Sequence, residues 1–312
     1  MITGMPRIAI AAHDFSALVS LFRDKFHMPV LDLSEMSRKE YGAALGMCVP
    51  AGGSNIELMC PVDPDTPLSK SLQGFLDRRG EGLFALMLEA PVPDDEAVEL
   101  ADRGLNVMPL MPGAFGRDVH PSSTHGVLIR VYPVDSFKGK YKGEPDDRAP
   151  RLSGIVRVIV AVEDIEHAVE VYGSQFKLPM GKILDDAERG VWSAICRPPS
   201  GGAIELVAVK DASRTFARAI ERHLEEKREG MYALVVVVLG ASTSTGSCRR
   251  PSASTASRRR FTRWNAARSC AAWSCSDEGV LRRSWESNWS RPMGSSRSTA
   301  ASGRSPTTSG SS

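Results

Sequence analysis

"PRIAIAAHDFSALVSLFRDKFHMPV", residues 6–30, and "VRVIVAVEDIEHAVEVYGSQFKLPM", residues 156–180, carry one design written twice. Each runs as an apolar strand, an acidic turn, an amphipathic helix and a Phe-x-x-Pro exit. In the first, Leu18, Leu21, Phe22 and Phe26 recur at steps of three and four, the pattern of a helix packed on one side. Working outward, "SNIELMCP" at 54–61 matches "GAIELVAV" at 202–209, and "EGLFALMLEA" at 81–90 matches "EGMYALVVVV" at 229–238. The offset stays near 150 residues, which makes 1–135 and 153–240 copies of one unit.

Within the first copy the patterning predicts a strand at 6–12, a helix at 15–26, strands near 42–49 and 54–60, and a helix near 66–78. A second such unit follows, with a strand at 83–89, a helix at 94–103 and a strand at 126–132. Residues 136–152 are charged and rich in Gly and Pro, a linker by composition. The second copy stops after its third matched strand, short of a closed sheet.

Charge divides the chain differently. Residues 241–312 hold 12 Arg, no Lys and 3 acids, a net of +9, whereas positions 1–240 hold 27 basic and 34 acidic residues, a net of −7. Ser and Arg supply 32 of the tail's 72 residues, and no hydrophobic period survives there. The tail is expected to be disordered, or to be an out-of-frame continuation of a domain that was once complete. Its arginines alone do not make a nucleic-acid-binding fold. The N-terminus lacks a charged segment followed by a long apolar run, and "YALVVVVLG" at 232–240 is too short to span a bilayer. Cys48, Cys60 and Cys196 include no Cys-x-x-Cys. A cytoplasmic location without nucleic-acid or membrane partners is expected; self-association as a homodimer is left open.

Repeated βαβββ units resemble the vicinal oxygen chelate superfamily, which includes glyoxalase I and the bleomycin-resistance proteins. "RIAIAAHD", "NIELMCPVDPDTPLSKSLQGFLDRRGEGL" and "HPSSTHGVLIRV" follow the order and spacing of methylmalonyl-CoA epimerases. The resemblance covers most of residues 5–133 and, more loosely, 154–240. It implies an α+β fold of tandem domains, each a curled sheet of paired βαβββ units. It also implies a divalent metal held by four side chains from four strands, commonly His, Gln or Glu, His, and Glu, and acting as a Lewis acid.

Here the matching positions are Arg7, Glu57, Ala85 and Arg130, and in the second copy Arg157, Glu205 and Ala233. An arginine has no lone pair to give and does not lose its proton in a protein, so only the glutamates could ligate. No metal and no cofactor are therefore expected. Two readings of Arg7, Glu57 and Arg130 stay open. Glu57 could pair with one or both arginines and fill the metal's space. Alternatively, two arginines against one glutamate could leave a net positive pocket for a small anionic molecule. Arg157 and Glu205 would do the same in the second copy. The register requires Ala9 and Ala11 to share the face of Arg7, leaving Ile8 and Ile10 against the helix.

The histidines offer little by comparison. His120 and His125 bracket a turn and read as solvated or backbone-bonded; His13 precedes a cap; His27, His167 and His223 form no evident pair. Three functions follow as expectations. One is a metal-free binder of a small organic anion. A second is an isomerase or lyase of an acyl-CoA or 2-oxo acid, in which an arginine stabilises the oxyanion. The third is a drug-binding protein like the bleomycin-resistance group.

Overall fold

The computed structural model describes residues 1–50, 52–111, 115–136 and 151–239, with the backbone of three short strands at 261–264, 274–275 and 280–282. The expected linker lies outside the described residues except at its ends, and so does the tail apart from those three strands.

The first half is one seven-stranded sheet in the order β2-β3-β4-β1-β5-β7-β6. Its strands are β1 (Gly4–Ala11), β2 (Val30–Asp32), β3 (Ala43–Cys48), β4 (Asn55–Pro61), β5 (Gly82–Ala90), β6 (Arg117–Val119) and β7 (Leu128–Pro133). β1 runs antiparallel to β5 at the centre, with β4 parallel to β1 on one side and β7 parallel to β5 on the other. That is two β-α-β units set back to back. Helix α1 (Phe15–Ser20) starts where the Asp14 side chain accepts from the Ala17 N–H, and it continues as a π-helical turn over Leu21–Lys25. The patterning did not reveal β2, the helix α2 (Ser34–Tyr41) or β6; the two strands are three residues long, too short for a period to register. The predicted helices at 66–78 and 94–103 are α3 (Pro67–Arg79) and α4 (Pro93–Asp102), each with proline in the first turn.

The second half repeats the first through β8 (Arg151–Ala161), α5 (Ile165–Val169) with its own π-helical turn, β9 (Leu184–Asp186), β10 (Val191–Cys196), β11 (Ala203–Val209), α6 (Thr215–Lys227) and β12 (Gly230–Leu239). The copies diverge at the outer edge of the last strand. β7 lies parallel to β5, but β12 is met by the antiparallel β13 (Phe261–Trp264), with β15 (Val280–Arg282) and β14 (Ser274–Cys275) beyond it.

Alternation along the strands sorts two apolar layers. Ile8, Ile10, Leu86, Leu88, Ile129 and Val131 join Val158, Val160, Tyr172 and Phe176 of the second half in one continuous core. On the opposite face Ala9, Ala11, Ala85 and Met87 meet Leu68, Leu72 and Leu76 of α3. The register read from the sequence therefore holds. Small alanines on three strand positions let α3 sit close to the sheet, and the charged residues gather beyond it on the same face.

Candidate functional site

Arg7, Met87 and Arg130 stand in one row across β1, β5 and β7, so the residue in line with the two arginines is Met87 and not Ala85. Glu57 enters from β4, opposite Ala9. The side chains of Arg7 and Glu57 are 7% and 10% exposed, and Arg7 Nε lies 3.0 Å from Glu57 Oε2. The contact is close but badly angled: neither atom has a hydrogen-bond partner among the described residues. What holds Arg7 is stacking. Its guanidinium carbon lies 4.4 Å from the centre of the Tyr132 ring, and Nη1 donates to Ser136 Oγ at 3.5 Å, the outer limit for such a bond.

Arg130 is held differently. Its Nε and Nη2 donate to the two carboxylate oxygens of Asp118 on β6, the second bond being 2.6 Å. Both residues are buried, and β6 pairs Asp118 directly with Arg130. Burial opposes the guanidinium's charge, but the bond to Asp118 outweighs it, and the group is held more firmly protonated than usual. Arg130 therefore does not pair with Glu57. Asp118 is a second inward acid that the alternation of the sequence does not mark. It changes the expected balance: among the described residues, two arginines in the cup face two carboxylates and not one. A three-residue strand between loops gave no signal for Asp118; only the ladder with β7 brings it to Arg130.

The second half closes its equivalent site more completely. Glu205 is fully buried, with Oε2 2.8 Å from Arg157 Nη1 and Oε1 2.5 Å from Arg189 Nη2. Arg189 also donates from Nε to Asp186 Oδ2 at 2.6 Å and stacks on Phe216 at 5.1 Å. Arg157 and Glu205 are thus brought together as the sequence suggests, while Asp186, which ends β9, and Arg189, in the turn that follows it, carry no sequence signal. Among the described residues, no group of three or more His, Cys, Asp or Glu side chains is placed to hold a metal ion.

Two histidine readings change. His120 is exposed and bonded within its own turn, as expected. His125 is buried, its Nδ1 is 2.8 Å from Glu229 Oε1, and its ring packs against His167. The side chains that make these contacts lie 104 and 42 positions apart, which hid the cluster from the sequence.

Two halves of this topology define the tandem vicinal oxygen chelate fold. A triple mutant of 4-hydroxymandelate synthase from Streptomyces coelicolor matches 75% of this chain and 71% of its own, with a TM-score of 0.56 at 15% identity. That likeness is one of fold. A methylmalonyl-CoA epimerase in complex with methylmalonyl-CoA and NH4+ matches 43% of this chain and 97% of its own, at 23% identity and a TM-score of 0.37. The Mycobacterium tuberculosis methylmalonyl-CoA epimerase matches 42% and 89%, at 24% identity and a TM-score of 0.35. No family model and no curated protein sequence matches the chain.

Proposed function

We propose that the protein binds a small organic anion in the cup of its first half, through Arg7 and without a resident divalent metal. One observation carries this reading. Arg7 is a buried guanidinium whose Nε lacks a hydrogen bond among the described residues, while Arg130 beside it is saturated by Asp118. A carboxylate or thioester oxygen arriving at Arg7 would supply what Glu57 does not, a well-angled charged hydrogen bond. Arg130, Asp118 and Tyr132 would then be the frame that holds Arg7 in place. In the second half Arg157, Glu205 and Arg189 satisfy one another, which supports a structural role there.

The donor set supports the metal-free part of the reading. Arginine occupies two of the four strand positions in the cup, and alanine or methionine a third. Both carboxylates already face an arginine. A divalent ion would meet two fixed positive charges, with Asp118 bonded to Arg130 and Glu57 lying against Arg7.

A second reading keeps Arg7 but adds turnover: an isomerase or lyase of an acyl-CoA or 2-oxo acid. The buried Glu57 Oε2, which accepts no hydrogen bond, favours it as the acid nearest a bound substrate. Titration of the full-length protein with 2-oxo acids, acyl-CoA thioesters and a bleomycin-type drug, followed by heat and by product analysis, separates the readings. Saturable heat without product supports binding, and product formation supports the enzyme. A response to the drug alone supports the drug-binding alternative. Silence towards all three classes contradicts the proposal.

A further inference from the structure

Arg7 and Glu57 are a donor and an acceptor that meet without bonding. Arg7 Nε and Glu57 Oε2 lie 3.0 Å apart, and neither atom has a hydrogen bond among the described residues. Both side chains are nine-tenths or more buried, so each atom carries the cost of an unmade bond. Their neighbours are already engaged. Both oxygens of Asp118 accept from Arg130, and the Tyr132 ring covers one face of the Arg7 guanidinium at 4.4 Å. A ligand would therefore reach Arg7 in the plane of the guanidinium, along the edge where Nε faces Glu57.

That edge sets a condition on the ligand. An oxygen bonded to Arg7 Nε at about 3 Å lies no farther than about 6 Å from Glu57 Oε2. A bare carboxylate placed there satisfies Arg7, but it sets one negative charge beside another and leaves Oε2 without a donor. A ligand that brings its own donor removes both faults. A hydroxyl or an ammonium on the carbon next to a carboxyl group is close enough to donate to Oε2 while the carboxyl oxygen accepts from Nε. On the same face of the sheet Leu33, Tyr41, Met111 and Leu128 are only partly buried against the apolar layer, a wall for an apolar body.

We infer that the ligand of the cup is an apolar 2-hydroxy or 2-amino acid, read by Arg7 through its carboxylate and by Glu57 through the donor on the adjacent carbon; this rests on Arg7 as the seat of the anion. Glu57 is then the residue that sets specificity. It rejects a plain carboxylic acid, which has nothing to give Oε2, and it accepts one that does.

Calorimetric titration of the full-length protein with 4-methylpentanoate, 2-hydroxy-4-methylpentanoate and leucine, the last two in both hands, varies only the group on the second carbon. At least one donor-bearing acid should bind about ten-fold or more tightly than the plain acid, the worth of one hydrogen bond to a charged group. The tighter of the two identifies the donor as hydroxyl or ammonium. Glu57→Met, similar in length but without an acceptor, should bring the three acids to equal affinity where melting shows the variant folded; if it does not fold, the series on the parent protein decides alone. A plain acid that binds as tightly as the others overturns the donor requirement and leaves anion binding at Arg7 standing. No heat from any of the three overturns it as well, and the 2-oxo acid and acyl-CoA titrations then decide anion binding separately. A preference that survives in a folded Glu57→Met has a source other than Glu57 and contradicts the inference.

Discussion

Arg130 and Asp118 face each other across adjacent antiparallel strands as a two-pronged ion pair, with both side chains less than a tenth exposed. Pairs of this kind return little net stability over an apolar pair, but removing one partner strands a buried charge. Asp118→Asn and Arg130→Ala should each cost about 3–5 kcal/mol in denaturant melts. The double substitution Asp118→Leu with Arg130→Met should recover much of the loss. Combining Arg130→Ala with Glu57→Ala should not, since Glu57 is the partner of Arg7. Recovery in that second pair would mean that Arg130 is coupled to Glu57 and not to Asp118.

Arg228 occupies in the second copy the backbone position that Gly80 occupies in the first. The two have φ and ψ of 60° and −170° against 70° and −172°, at the C-terminal ends of α6 and α3. That region of backbone space belongs almost wholly to glycine. Arg228→Gly should raise stability by roughly 1 kcal/mol, and Gly80→Ala should lower it by a similar amount. Paired thermal melts check this, and a destabilised Arg228→Gly would show that the side chain compensates for its backbone.

Glu205 bridges Arg157 and Arg189 while itself fully buried, so Glu205→Gln should be among the most damaging single changes in the second half, by about 3–5 kcal/mol. The turn beside it titrates. Burial raises the Asp186 carboxyl, but hydrogen bonds from the Arg189 backbone and side chain outweigh this and hold it below its usual value. A carboxyl depressed in the folded state adds stability above its unfolded pKa and loses it as pH falls through the folded value. Asp186→Asn should therefore flatten part of the acid limb below about pH 4 and leave the neutral range otherwise shaped as before. An unaltered acid limb would remove Asp186 from the network.

Much of this was legible in the chain. The repeat, the strand faces and the placing of Arg7 with Glu57, and of Arg157 with Glu205, on one face follow from alternation and from comparing the copies, because period two fixes which side chains share a face; whether each pair is bonded or open to an anion does not. Asp118, Arg189 and the His125 cluster were not legible. Each depends on a short strand or a turn, where position is set by tertiary docking and not by a period. Asp118 matters most, since among the described residues it engages Arg130 and leaves Arg7 as the incompletely bonded arginine of the cup.

Metal analysis of the full-length protein grown with zinc, cobalt or nickel addresses the other half of the proposal. Less than stoichiometric metal is the expected result, and one tightly held ion per half would contradict it.

Anion binding through Arg7 is tested by calorimetric titration of an anion that binds the parent protein into Arg7→Lys and Arg7→Ala. Lysine keeps the charge but loses the planar fork and the stacking on Tyr132. Binding should weaken by roughly 10- to 150-fold in Arg7→Ala, the worth of one charged hydrogen bond, with an intermediate loss in Arg7→Lys and the fold intact by melting. Undiminished affinity in a folded Arg7→Ala would contradict it.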